Sequence, residues 1–381
     1  MRHERQMEIL ERVASAGPRM KGLQGPKSYV NPAEVYTSAE RFELEQQLLF
    51  RENPVFFAMS GELPNPGDYQ TGVFGGVSIV VIRQKDGSVK AMVNACRHRG
   101  APLVEPGTAG SGLSALTCPY HAWTYELNGA LRAQPASAGA FDDVDMNCDL
   151  HDVAVTEHLG MIFVRPMGGE PIDGDAVLDG AQTDLADFNL AKERAVESRV
   201  FTWDLNWKLI LDTFMETYHI RTLHRNTIGP YFNSDCLVHD PFGQNMAATA
   251  FRKNILDEMD KPRAERTVLP YATVQYFILP NALLVYQIDH WETWRIEPLS
   301  LTSTRTTTTI YSPETTLTDE IEAYLSKNLD ILLQVIATED FPLMEQIQAN
   351  LHSGALPEIV YGRNEPTLTH FHRSLNQRLG V

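Results

Sequence analysis

Apolar residues between Asn53 and Pro166 fall in short runs, "PVFFAMSG", "GGVSIVVIR", "VKAMVNAC", "SALTCPYHAW" and "GMIFVRP", divided by Gly, Pro and Asp-Gly steps. Runs of this length, rich in β-branched and aromatic side chains, predict strands. The pattern therefore gives a small all-β domain over residues 53–166. Beyond it the periodicity lengthens. "NWKLILDTFMETYHIRTLH" reads as a helix, "YATVQYFILPNALLVYQI" as two strands around Pro280-Asn281, and "TSTRTTTTIYS" as another strand. In "TLTDEIEAYLSKNLDILLQVIATED" apolar residues recur at 321, 325, 329, 332, 333 and 336, a helical stripe with Thr316 or Thr318 as N-cap. Residues 1–52 and 167–381 are thus expected to form a larger domain, and the fold class is α+β.

Composition narrows the classes. A chain of 381 residues is long for one core, so two domains are expected, and 43% hydrophobic with 21% charged residues is ordinary globular composition. Forty-nine acidic against 32 basic side chains give a net charge of -17, which opposes binding to nucleic acid and to anionic membranes. The first twenty residues lack the apolar run of a secretory leader and read as a surface helix, and the 271–288 stretch is broken by Pro280, so neither predicts a membrane segment. Four scattered cysteines, Cys96, Cys118, Cys148 and Cys236, suit a reducing, cytoplasmic setting and leave thiolates for metal.

Two Cys/His pairs occupy the β domain: Cys96 and His98 in "NACRHRGAPL", and Cys118 and His121 in "CPYHAW". Two thiolates and two imidazoles could hold zinc, but zinc sites of that composition usually take a Cys pair from one element and a His pair from another. One of each from both elements suits a [2Fe-2S] cluster with two cysteines on one iron and two histidines on the other, the Rieske ligation. In the larger domain Asp212, Glu216 and His219 share one face if the segment is a continuous helix, because steps of four and three residues return to the same side. His224 lies about 140° further round, so a shared ion requires the helix to end or bulge between the two histidines. Two histidines and one carboxylate would make a facial site for non-haem Fe(II). Asp340 continues the stripe Leu329, Leu333, Ile336, Met344 and Ile347 and is the candidate third ligand; Glu339 and Glu345 are alternatives, and N-capping of a helix near Pro342 is the competing role for Asp340.

The texts C-R-H-R-G and C-P-Y-H-A-W, with N-W-K at 206–208 followed by a carboxylate and Y-H-x4-H at 218–224, resemble the Rieske non-haem iron oxygenases, specifically their large (α) terminal oxygenase subunits, from about residue 30 to 350. The nineteen residues between His98 and Cys118 exceed the family's usual gap, and "GTAGSG" at 107–112 reads as a small insertion. The resemblance implies an all-β Rieske domain beside a helix-grip-like catalytic domain with an antiparallel sheet. It implies a [2Fe-2S] cluster on Cys96, His98, Cys118 and His121, and mononuclear Fe(II) on His219, His224 and Asp340, with O2 as co-substrate. Glu216 takes the place of the carboxylate that bridges the metals of neighbouring subunits; aspartate is commoner there, and glutamate occurs in a minority that includes amine-oxidising members. Asp212 would support the ligands from behind. Leu209, Phe214, Met215, Tyr286 and Trp291 are candidate substrate contacts.

By the same resemblance the chain forms a head-to-tail homotrimer, with or without a β subunit, and takes electrons from a ferredoxin or flavin reductase, for which Arg97 and Arg99 are candidate docking residues. The expected activity is hydroxylation or oxidative N- or O-dealkylation of a hydrophobic, aromatic compound. Cis-dihydroxylation of an arene is the nearest alternative. An electron carrier or zinc-stabilised binding module without oxygen chemistry is a reading of another class, and it leaves Glu216, His219, His224 and Asp340 without a purpose.

Overall fold

A computed structural model describes residues 1–135, 137–143, 146–314 and 316–381. It divides into two compact units, one of Gln46–Gly174 and one of Met1–Glu45 with Asp175–Val381.

The smaller unit is built on a seven-stranded antiparallel sheet in the order Val55–Met59, Met161–Arg165, Asp152–His158, Val89–Val93, Val77–Arg83, Tyr69–Phe74 and Ala109–Gly110. A second sheet of Leu116–Thr117, Thr124–Tyr125 and Leu131–Ala133 is shorter. The run "SALTCPYHAW" is therefore two short strands around a turn. Cys96 and His98 lie just beyond the strand Val89–Val93, and Cys118 and His121 lie in the turn between the first two strands of the small sheet. Both thiols pack in one apolar cluster with Val80, Ile82, Met92, Leu116, Trp123 and Tyr125. The 107–112 insertion is absorbed at the sheet edge, where Ala109 and Gly110 pair with Gln70 and Tyr69.

The larger unit centres on a seven-stranded antiparallel sheet in the order Arg194–Trp203, Ser303–Ser312, His290–Ser300, Ala282–Gln287, Ala272–Ile278, Asn245–Arg252 and Phe232–Phe242. The predicted hairpin around Pro280-Asn281 pairs Ile278 with Ala282. The C-terminal helical stripe forms the helix Asp319–Val335, with the Thr318 side chain accepting from the Ile321 N–H as N-cap. A π-helical turn, Ile336–Asp340, then leads without a break into the helix Phe341–His352. One extra residue in that turn shifts the buried face, which runs through Leu325, Leu329, Leu333, Ile336 and Asp340 and resumes at Gln348 and Leu351. Ile347 is consequently less buried than the unbroken stripe predicts.

One expectation fails in this unit. The segment 206–224 is not a single helix: Trp207–Phe214 is helical, Met215 leaves the helix at φ -89, ψ 2, and Tyr218–Arg221 is a 3-10 turn. The cause lies in Glu216, whose carboxylate accepts the N–H groups of Tyr218 and His219 and so offers the backbone a local alternative to helical bonding. At the other end Asn206 caps the helix through Lys208 N–H, and the buried Glu45 carboxylate accepts from Lys208 Nζ at 2.6 Å and Trp207 Nε1 at 2.9 Å. The N-W-K text thus fixes where the helix starts and how it is seated.

Candidate metal centres and the adjoining cavity

In the smaller unit each Cys/His pair is carried by a tight turn. Cys96 N–H donates to Ala101 C=O and Gly100 N–H to Cys96 C=O; Cys118 N–H donates to Trp123 C=O and Ala122 N–H to Cys118 C=O. Gly100 and Ala122 both hold positive φ, +74° and +57°; for alanine this is a strained conformation of the kind found where a turn must aim a side chain. The turns bring His98 Nδ1 to 3.2 Å from His121 Nδ1, with Trp123 stacked on the His98 ring at 5.1 Å. Tyr125 hydroxyl lies 3.3 Å from Cys96 Sγ. Burial opposes a thiolate at Cys118, but the N–H groups of Tyr120 and His121 and the Cys96 thiol outweigh it and hold Cys118 below the usual thiol range. Burial, with His121 and Arg99 adding to it, lowers His98 and favours the neutral imidazole a ligand must be.

These four donors do not converge on one point. Ligands of a tetrahedral zinc would lie within roughly 4 Å of one another, and among the described residues only His219, His224 and Asp340 bring three such donor atoms within 4.8 Å. Buried thiols on one side and facing Nδ1 atoms on the other fit a two-iron cluster. Arg97 is engaged beside them: its guanidinium contacts His151 and donates to Asn147 C=O at 3.4 Å. Arg99 lies over the Tyr120 ring at 5.9 Å.

In the larger unit His224 Nε2 is 3.1 Å and His219 Nε2 3.6 Å from Asp340 Oδ1. That oxygen is buried and has no hydrogen-bond partner. An ionised carboxylate oxygen left without a donor in the interior is costly unless a cation meets it. Asp340 keeps helical backbone angles, φ -75 and ψ -60, and its side chain caps nothing, so the N-cap role does not apply. Both imidazoles are held from behind. His219 Nδ1 bonds Glu216 Oε1, and His224 Nδ1 lies 2.6 Å from Glu339 Oε2, which also accepts from Thr227 Oγ1 at 2.9 Å. With carboxylates on both Nδ1 atoms, both Nε2 lone pairs turn toward Asp340. The donor set fits a 2-His-1-carboxylate metal centre.

Glu339 therefore bonds the back of His224 and is not among the three converging donor atoms; the signal lies in the sequence, since a metal-binding imidazole needs a partner for its other nitrogen and Glu339 adjoins Asp340. Glu345 is solvent-exposed. Asp212 goes elsewhere, because the helix ends before it can share a face with His219. Its carboxylate meets Tyr36 hydroxyl at 2.5 Å and His372 Nε2 at 3.0 Å, and no hydrogen bond or ion pair among the described residues joins it to His219 or His224.

A cavity of about 300 Å³ opens beside the triad, lined by Phe214, Glu216, His219, His224 and Asp340 and floored by the sheet. Of the five expected substrate contacts only Phe214 lines it. Leu209, Met215 and Trp291 are buried in the core. Tyr286 points to the opposite face of the sheet with Trp291, the two rings 5.3 Å apart. Their neighbours Val285, Gln287, His290 and Glu292 face the cavity instead, since successive side chains of a strand alternate sides.

The chain belongs to the ring hydroxylating alpha subunit family, whose catalytic-domain model matches residues 190–380; a Rieske [2Fe-2S] domain model matches residues 53–145. It is 33% identical to the carnitine monooxygenase oxygenase subunit of Acinetobacter baumannii over 198 residues, 51% of this chain and 52% of that protein. It is 31% identical to the glycine betaine monooxygenase oxygenase subunit of Chromohalobacter salexigens over 234 residues, 61% of this chain and 50% of that one. The chain thus spans about half the length of the curated relatives it matches. The fold matches a crystal structure of the quaternary ammonium Rieske monooxygenase CntA in complex with inhibitor MMV12, with TM-score 0.79, 22% identity, and 93% and 96% of the two chains covered.

Proposed function

We propose that this chain is the terminal oxygenase component of a multicomponent system, spending O2 and electrons from a ferredoxin or flavin reductase on hydroxylation or oxidative dealkylation of a small organic substrate. The observation that carries the reading is the convergence of His219 Nε2, His224 Nε2 and the unpartnered Asp340 Oδ1 at the wall of a cavity. Cys96, His98, Cys118 and His121 would hold a [2Fe-2S] cluster that supplies electrons, and the triad would hold the iron at which dioxygen is activated.

The protein's own groups do the positioning. Glu216 and Glu339 fix the two imidazoles, and the π turn at 336–340 presents the Asp340 carboxylate. By the resemblance in motif Glu216 would take the role of the family's bridging carboxylate, so the reading includes a ring of three subunits in which Glu216 couples one subunit's iron to the cluster of the next. Light scattering on the purified protein would test that state.

The lining favours dealkylation or hydroxylation of a polar molecule over attack on a bare arene. Gln275 and the side-chain carbonyl of Gln287 offer hydrogen bonds that a hydrocarbon would leave unmade, and the named relatives act on carnitine and glycine betaine. The test is substrate-dependent oxygen uptake, with formaldehyde release from N- and O-methyl compounds, using a surrogate reductase. Asp340→Ala is expected to lose uptake while keeping the visible spectrum of the cluster; uptake at the wild-type rate in that variant would overturn the assignment.

A further inference from the structure

Each acidic side chain that lines the cavity faces an imidazole, whereas one cationic side chain there has no acidic partner among the described residues. Glu216 is bound to His219, and Asp340 faces both metal-binding imidazoles. Asp289 holds His290 Nδ1 at 2.7 Å and accepts from Tyr324 hydroxyl at 3.0 Å. Glu292 accepts from Gln287 at 3.2 Å and meets His290 Nε2 at 3.4 Å. Arg252, at the end of the strand Asn245–Arg252, lines the same cavity and makes no ion pair among the described residues. Its guanidinium sits over the ring of Phe232, its cross-strand neighbour, at 5.9 Å, and the side chain is half-buried.

A half-buried guanidinium with five donors and no anion is poorly compensated, and the ligand that matches its planar fork is a carboxylate with two parallel oxygens. Phe232 also borders a shallow surface pocket lined by Arg221, Arg225 and Lys253. Arg221 is paired with Asp235, but Arg225 is exposed and unpaired among the described residues, so with Lys253 the approach on this side is still basic although the chain carries -17 overall. Such a local field draws anions toward the cavity.

We propose that Arg252 anchors a carboxylate of the substrate, so that the molecule this site accepts is a small monocarboxylic acid with its oxidisable carbon at the opposite end, beside His219, His224 and Asp340. One cation and a cavity of about 300 Å³ suit a monoanion of that size better than a phosphate monoester, whose two charges call for more donors than one guanidinium. The proposal rests on the oxygenase reading only for what happens at the far end.

The test is binding to the iron-loaded, full-length protein, by calorimetry and saturation-transfer NMR. The probes are glycine betaine, L-carnitine, N,N-dimethylglycine and 4-methoxybenzoate, each beside its methyl ester, with a sulfonate analogue of each. At least one acid is expected to bind tenfold or more tightly than its ester. Arg252→Gln should cost that acid about tenfold or more and leave the esters unchanged, with Arg252→Lys intermediate because it keeps the charge and loses the fork. Unchanged iron content and melting temperature in both variants separate this from misfolding. Esters bound as well as acids, undiminished acid binding in Arg252→Gln, preference for the sulfonates, or no acid bound at all would each overturn the proposal. The two readings separate cleanly: acids that bind through Arg252 but never stimulate oxygen uptake defeat the oxygenase reading alone, whereas neutral compounds that are oxygenated without any acid binding defeat the anchor alone.

Discussion

Glu339 is placed to matter to the candidate metal site without being one of its donor atoms. Its carboxylate holds His224 Nδ1 at 2.6 Å and is tied in turn to Thr227. Glu339→Ala leaves the His224 ring free to rotate, and iron affinity should fall by roughly 10- to 100-fold, measured by chelator competition, with the cluster spectrum unchanged. Glu193 gives a different kind of prediction. Burial pushes its carboxyl up to about 7, with only the charge of His290 pulling the other way. The folded chain therefore keeps a proton that the unfolded chain releases near pH 4.5, so this group lowers stability as pH rises through that window, and the full cost is present above 7. Glu193→Gln should remove a cost of about 2 to 3 kcal/mol at pH 8 and change little at pH 4.5, read as the difference in denaturation midpoint between the two proteins across that range. An equal difference at both pH values would show that Glu193 is ionised in the fold.

At the scale of elements, the π turn Ile336–Asp340 is what aims Asp340. Deleting the exposed Ala337 would return the segment to α geometry and change the direction in which Asp340 points relative to the helix before it. The expected result is nearly unchanged helical circular dichroism, loss of mononuclear iron and retention of the cluster; full iron content would mean that the turn is incidental. The extra residue is also why the sequence was only partly readable here. Alternation and stripes marked the strands, the 271–288 hairpin and the helix from Asp319, because each reports which side of a regular element is buried. They cannot report a departure from regularity made by a side chain, and Glu216 ends one helix early by taking its backbone N–H groups. That unseen stop sent Asp212 to Tyr36 and His372 and made the shared helical face of Asp212 and His219 a false inference. The candidate ligands were legible because Cys, His and Asp at those spacings carry chemistry whatever the local geometry. The cavity was not, since an aromatic side chain on a strand does not report which face it takes, and Tyr286 and Trp291 lie one position out of phase with Val285, Gln287, His290 and Glu292.

For the whole molecule, two donor sets of different kind predict a metal content that no single-site reading shares. Among the described residues the donor atoms of His219, His224 and Asp340 lie within 4.8 Å of one another, as one ion would need, and those of Cys96, His98, Cys118 and His121 do not. The folded chain should therefore carry about three irons and two acid-labile sulfides, with a Rieske electron paramagnetic resonance signal on reduction. The sites should also come apart under chelation. The triad offers an ion three protein atoms and adjoins a cavity, while the thiols of Cys96 and Cys118 are buried, at 2% and 3% exposure. A mild chelator should strip one iron of three and abolish oxygen uptake with the visible spectrum intact, and added Fe(II) should restore uptake. Two irons with full uptake would remove the mononuclear centre from the account, and stoichiometric zinc in place of iron and sulfide would remove the cluster as well.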